Sequence, residues 1–270
     1  MRIARFVTGD GEVAYGVPLN DDSARRLPEG PFSRETSDEI VRVERFLPPI
    51  EPPNVFAIGR NYRAHAEETG SQVPAKPLVF IKATTSLLGH EGRIILPESA
   101  PESVDFEAEL AIVIGRTARR VPKSAALDYV LGYTCANDVS ARDCQRADKQ
   151  WTRAKGFDTF CPLGPWLVTA DALDPGDCVV RSRVNGEIMQ EAPASDMLHD
   201  CGELISYLSR QFTLLPGTVI LTGTPQGVGV ARTPPVFLRP GDRVEVEIEG
   251  IGTLRNSVGA TIPQSGNAGR

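Results

Sequence analysis

The chain has 270 residues, 41% of them apolar and 24% charged, with a net charge of −6. This is the make-up of a soluble globular protein, one large domain or a main domain with a smaller one, and the acidic balance without a Lys/Arg block disfavours a nucleic-acid groove. No stretch approaches the ~18 continuous apolar residues of a membrane helix, Met1–Val7 lacks a signal-peptide core, and five scattered cysteines (135, 144, 161, 178, 201) without a Cys-x-x-Cys pair read as reduced thiols of a cytoplasmic protein.

Taken in order, residues 1–48 form a small β-rich N-terminal domain. Arg2–Val7 and Val13–Val17 are short strands about the turn Thr8-Gly9-Asp10-Gly11. Residues 49–53 lie in the proline-rich run Pro48-Pro49-Ile50-Glu51-Pro52-Pro53, an extended linker and the domain boundary. Asn54–Gly59 reads as a strand, and Arg60–Gly70 as a short polar helix with Gly70 as its stop. His65 and Glu68, three apart, share one face of it, an arrangement in which a carboxylate sets the tautomer and basicity of a histidine. An exposed ion pair accounts for that spacing equally well, and the weak apolar stripe makes the helix either a mobile lid or a plain surface segment. Leu78–Ile81 is a strand and Lys82–Ser86 a polar loop; His90 is a turn histidine, because Ile94 stands where a His-Glu-x-x-His signature needs its second histidine.

Ser103–Gly115 is the most informative stretch, a β-branched run closed by glycine that reads as a buried strand. Alternation places Phe106, Ala108, Leu110, Ile112 and Ile114 on one face and Glu107 and Glu109 together on the other. Two carboxylates about 6 Å apart repel by about 3 kcal/mol at an effective dielectric near 20, so burial demands a cation or a proton. A solvated strand end is the competing reading. A helix capped by Ser124 and stopped by Gly132 follows, then a strand, Gly132–Val139, carrying Asp138 near its end. Strand, helix and strand can return Asp138 to the glutamates, and three carboxylates without a nearby Cys or second His form a hard-cation set: Mg2+, Mn2+ or Ca2+ rather than zinc. Ser140 to Asp143 has the spacing of a capping box, while Lys155 lies in an aromatic, turn-rich loop of the kind that builds sites. Val184-Asn185-Gly186-Glu187 signals a type I′ hairpin, and Leu198, Cys201, Leu204, Ile205, Leu208 and Phe212 mark a core helix, with His199 off its stripe and exposed. Val219–Gly229 is a strand opening into a glycine loop that can aim N–H groups and the Thr224 hydroxyl at a carboxylate. The tail, residues 263–270, reads as disordered.

Glu107-x-Glu109, Gly132-Tyr133-Thr134 through Asn137-Asp138-Val139-Ser140-Ala141-Arg142-Asp143, Lys155-Gly156-Phe157-Asp158-Thr159 and Thr222-Gly223-Thr224-Pro225 together resemble the fumarylacetoacetate hydrolase family, in its acylpyruvate hydrolase and 2-hydroxyhepta-2,4-diene-1,7-dioate isomerase-like branch. The resemblance implies an α+β, mainly β fold: a mixed β-sandwich roll over residues 54–262 with the small β-rich N-terminal domain before it, assembled as a homodimer. By the same resemblance Glu107, Glu109 and Asp138 are metal ligands for Mg2+ or Mn2+, His65 and Glu68 activate water from a lid, Lys155 stands beside metal and substrate, and Arg142, Gln145 and Thr224 hold substrate oxygens. Lys82-Ala83 departs from the family pattern, which often has proline after the lysine. The implied activity is hydrolysis of a C–C bond in an acylpyruvate or related diketo acid through a metal-stabilised enolate. Oxaloacetate decarboxylation and 2-hydroxyhepta-2,4-diene-1,7-dioate isomerisation need the same metal site, and a non-catalytic protein stabilised by a bound cation is the remaining alternative. The partner in each catalytic case is a small 2-oxo or diketo acid, with no nucleic acid and no membrane.

Overall fold

In the computed structural model, which describes residues 1–260, the chain is built mainly of strands. A long sheet of eleven strands runs from the N-terminal residues through the centre of the molecule. Its first part is the four-stranded N-terminal unit, Arg2–Thr8, Val13–Pro18, Ser23–Arg26 and Ile40–Leu47, which closes on Ala4, Phe6, Ala14, Ala24 and Val43. Arg2–Thr8 also pairs with Cys161–Thr169, so one sheet joins this unit to the rest. The proline-rich stretch 49–53 carries no regular structure, and Ile50 packs into the neighbouring core.

The glutamate strand is central. Its regular part, Ala108–Ile114, is buried throughout and pairs antiparallel with Val130–Asn137 on one side and Val219–Leu221 on the other. Alternation divides its side chains as expected. Ala108, Leu110, Ile112 and Ile114 face a core shared with a second, five-stranded sheet and the helix Cys201–Gln211; Ala111 and Val113 face the core beneath Val55, Ala57 and Phe80. This is the β-sandwich roll that the resemblance implies. At its start the strand bends: Val104–Asp105 leaves the main sheet to pair with Ser140–Ala141, and Phe106 packs in a separate cluster with Val139 and Phe160.

Several local expectations are refined. The polar helix expected over Arg60–Gly70 is shorter, Arg63–Glu68, and Gly70 just beyond it takes φ +62°, the left-handed stop that glycine permits. Asn185 and Gly186 take φ +52° and +85°, the two positive values of the I′ hairpin. The segment before Val130 is a tight 3-10 turn, Lys123–Tyr129, led by Pro122, so Ser124 lies inside it and caps nothing. Gly132 is a strand residue, and a Cβ there would lie 2.2 Å from the Val168 carbonyl: it permits close strand contact rather than ending a helix. The Ser140–Asp143 capping box does not form; Ala141 is the N-cap of Arg142–Asp148, and the Ser140 hydroxyl turns inward. His199 is half-buried rather than exposed, its Nδ1 paired with Glu203 at 2.8 Å and its backbone N–H donating to Asn61. The tail reading lies outside the described residues. Among those described, no helix is long and apolar enough to cross a membrane.

Candidate metal centre and active site

Sheet register assembles the acidic cluster. Ala108 stands opposite Asn137 and Glu109 opposite Ala136, while the Asp138 N–H donates to the Glu107 carbonyl at 2.9 Å. Two residues distant in sequence from the third are thereby fixed beside it by backbone bonds. The carboxylates of Glu107, Glu109 and Asp138 are buried, with one ligand atom from each lying within 4.8 Å of the others. The paired-carboxylate reading holds, and the solvated strand end does not.

Their neighbours are unevenly shared. Lys155 Nζ donates to Glu107 Oε2 at 2.7 Å, Asp138 Oδ2 at 2.6 Å and Ser140 Oγ at 2.7 Å. Arg142 Nη2 stands 2.7 Å from Glu107 Oε1. Among the described residues no cation pairs with Glu109; its carboxylate accepts from the Gly223 N–H at 2.7 Å. The electrostatics follow. Burial raises the Glu107 carboxyl, but Lys155 and Arg142 outweigh burial and hold it well below the usual carboxylate range. Burial, then the charges of Asp138 and Glu107, push Glu109 well above that range. Burial disfavours the Lys155 ammonium, yet Asp138 and Glu107 more than restore it. A buried carboxylate without a countercharge, facing two others at ligating distance, is an oxygen-donor pocket for a hard divalent cation. The residues present fit such an ion.

The cluster forms the floor of a cavity of about 300 Å³, so its ligand side opens on space able to take a small molecule rather than on a closed protein shell. His65, Arg142, Gln145, Lys155 and Thr224 all line it. His65 is buried, its Nδ1 2.8 Å from Glu68 Oε1, while Glu68 Oε2 accepts from the Gly227 N–H at 2.8 Å. His65 and the glycine loop after Val219–Leu221 are therefore tied through Glu68. Gln145 Oε1 accepts from Arg142 Nη1 at 3.0 Å. Thr224 differs from expectation in its bonding: its hydroxyl donates to the Ala108 carbonyl at 2.9 Å and accepts from Gln190 Nε2 at 2.7 Å, so its proton is committed to the backbone.

Residues not singled out from the sequence complete the centre. Lys82 is buried and donates both to Asp138 Oδ1 and to the Lys155 carbonyl. Asp105 accepts from Arg142 Nε at 2.8 Å and from the N–H groups of Phe106, Gly229 and Val230, at 2.9, 2.8 and 3.0 Å. Gln190 is saturated, accepting from Ala108 N–H and Ser182 and donating to Thr224 and the Pro225 carbonyl. Asp105 carried a signal, since its spacing continues the alternation of Glu107 and Glu109. Lys82 was marked only by its place in the family pattern, and a lone Gln190 in a hairpin carried no signal. The five cysteines are buried; burial pushes the Cys161 thiol up to about 12 and Cys178 up to about 11, leaving them poor nucleophiles.

The profile of the fumarylacetoacetate (FAA) hydrolase C-terminal domain matches residues 54–259. The chain belongs to the fumarylacetoacetate hydrolase family. It is 46% identical to oxaloacetate tautomerase Fahd2a, mitochondrial, of Rattus norvegicus over 92% of this chain and 77% of that protein. It is 45% identical to oxaloacetate tautomerase YisK of Bacillus subtilis over 87% and 81%. The crystal structure of 5-carboxymethyl-2-hydroxymuconate delta-isomerase from Mycobacterium smegmatis, 44% identical, superposes with a TM-score of 0.85 over 97% of this chain and 100% of that one. The non-catalytic alternative thereby falls: the chain is an enzyme of the fumarylacetoacetate hydrolase family.

Proposed function

We propose that the enzyme moves a proton between carbon and oxygen of a small 2-oxo acid of the oxaloacetate type, a keto–enol isomerisation dependent on a divalent cation. The observation carrying this reading is His65, buried and lining the same cavity as the carboxylate floor, with Glu68 paired to its Nδ1. The names of its relatives favour isomerisation over the C–C hydrolysis expected from the sequence. An Mg2+ or Mn2+ ion held by Glu107, Glu109 and Asp138 would supply Lewis-acid stabilisation of negative charge developing on the 2-oxo oxygen.

The chain's own residues do the rest. Glu68 holds Nδ1 of His65, which leaves Nε2 as the nitrogen free to take a proton from the carbon beside the 2-oxo group and return it at oxygen. Lys155, with its ammonium donating to Glu107, Asp138 and Ser140, is a fixed positive charge in this arrangement and not a base. Arg142 and Gln145, linked to each other at the cavity wall, present the remaining donors to the acid's C1 carboxylate.

Hydrolysis is the second reading. The same His65 Nε2 would take a proton from water as the oxygen adds to the distal carbonyl of an acylpyruvate, and bond cleavage would give pyruvate and a carboxylic acid. The two readings part in one assay: decay of the oxaloacetate enol against cleavage of acetylpyruvate, with Mg2+ or Mn2+, for the native enzyme and His65→Ala. Rapid enol decay with slow cleavage, both lowered in His65→Ala, supports isomerisation. The reverse preference supports hydrolysis.

A further inference from the structure

The floor and the rim of the cavity differ in charge. Every acid lining it belongs to the three-carboxylate floor, and the remaining lining carries Arg60 and Arg146 besides Arg142. Arg142 is held in place by Asp105, Glu107 and Gln145, and its remaining donors belong to the 2-oxo end assigned above. Arg60 and Arg146 form no ion pair with any acid among the described residues.

Arg60 is placed at some cost. It takes φ +57°, a left-handed conformation uncommon for a residue with a side chain, and its guanidinium lies 5.5 Å from the centroid of the Trp151 ring. Gly59 makes room for that ring, because a Cβ there would come within 2.3 Å of it. Trp151 is fixed in turn by an edge contact with Phe80 at 5.3 Å. Arg146 follows Arg142 by four residues in Arg142–Asp148, so both share the helix face turned to the cavity. Two guanidiniums without carboxylate partners among the described residues, lining one small cavity from segments distant in sequence, match a planar anion.

We propose that Arg60 and Arg146 form a subsite for a second carboxylate, selecting dicarboxylic 2-oxo acids over their monocarboxylic counterparts. This rests on the 2-oxo acid reading above: the floor takes the 2-oxo end, and the rim takes the far carboxylate. A charge-assisted hydrogen bond at a partly exposed site corresponds to about tenfold in affinity.

The test uses ligands that do not react. Binding of L-malate and of 2-hydroxybutanoate, which carries a methyl group where malate has its second carboxylate, is measured by calorimetry on the Mn2+-loaded protein. Arg60→Asn, which tolerates positive φ, Arg146→Gln and the double variant are measured beside it, with Mn2+ affinity as the check on an intact floor. The native protein is expected to favour malate by about tenfold or more, each single change to lower that preference, and the double change to abolish it. Equal binding of the two ligands by the native protein, or an undiminished preference in the double variant, overturns the subsite. Oxaloacetate turnover is followed separately. Malate selectivity that depends on the two arginines, in a protein that does not isomerise oxaloacetate, leaves the subsite standing and removes the isomerase reading.

Discussion

Glu109 is the residue on which the centre turns. Glu107 is neutralised by Lys155 and Arg142, and Asp138 by Lys155 and Lys82, but among the described residues Glu109 has only the Gly223 N–H. Its burial among like charges destabilises the metal-free fold and is offset when a cation binds. Glu109→Gln keeps the shape and the bond from Gly223 while removing the charge. Mn2+ affinity should fall by about 100-fold or more, the upper range for loss of even an indirect metal partner. In chelator at neutral pH the same variant should melt at a higher temperature than the native protein. Titration calorimetry and thermal melts read the two effects, and a lower melting temperature in chelator would show that Glu109 is already compensated. The glutamates were legible because alternation along an apolar strand puts two like charges on one buried face. The proton commitment of Thr224 was not, because it depends on Gln190, a residue of another sheet.

Among the elements, the glycine loop and the helix Arg63–Glu68 form one device. Val55–Gly59 and Val219–Leu221 are parallel neighbours, and their continuations, Arg60–Tyr62 and Thr222–Gly227, leave the sheet side by side. Asn61 Nδ2 donates to the Thr222 carbonyl at 2.7 Å, and Gly227 N–H reaches Glu68. Gly223 sits at the closest approach: its φ is +102°, and a Cβ would lie 2.6 Å from Cβ of Asn61. Gly223→Ala should cost about 2 kcal/mol or more in urea unfolding and lower activity through displacement of His65. An unfolding midpoint within error of native would mean that the two segments yield without penalty. The helix itself was legible in its His-x-x-Glu spacing. What fixes it was not, since its few apolar residues do little and its anchor is a backbone N–H from 159 residues further along the chain.

At the scale of the whole molecule, the family profile begins at residue 54, but the packing does not. Ile3 and Leu27 are buried in the same cluster as Ala57, Phe80, Ala111 and Leu167, and the Met1 ammonium donates to Thr169 Oγ1 at 2.7 Å. A chain starting at residue 54 would expose that apolar surface and the free edge of Cys161–Thr169. Sedimentation should find it self-associated or insoluble; a well-behaved species with the native melting temperature would show the N-terminal unit to be independent. Composition, strand periodicity and the family motifs together made the architecture readable. The long-range pairing of Arg2–Thr8 with Cys161–Thr169 had no signal in local pattern, because either strand could equally have closed its own sheet.

Proton transfer at the carbon next to the 2-oxo group is the central claim, and solvent-deuterium incorporation at C3 of oxaloacetate, followed by NMR, tests it most directly. Incorporation faster than in a metal-matched solution without protein is expected for the Mg2+- or Mn2+-loaded enzyme. It should vanish on chelation, return with the metal, and fall by about 100-fold or more in His65→Ala, as for loss of a general base. Incorporation that proceeds equally fast in His65→Ala, or in the chelated protein, would contradict the account.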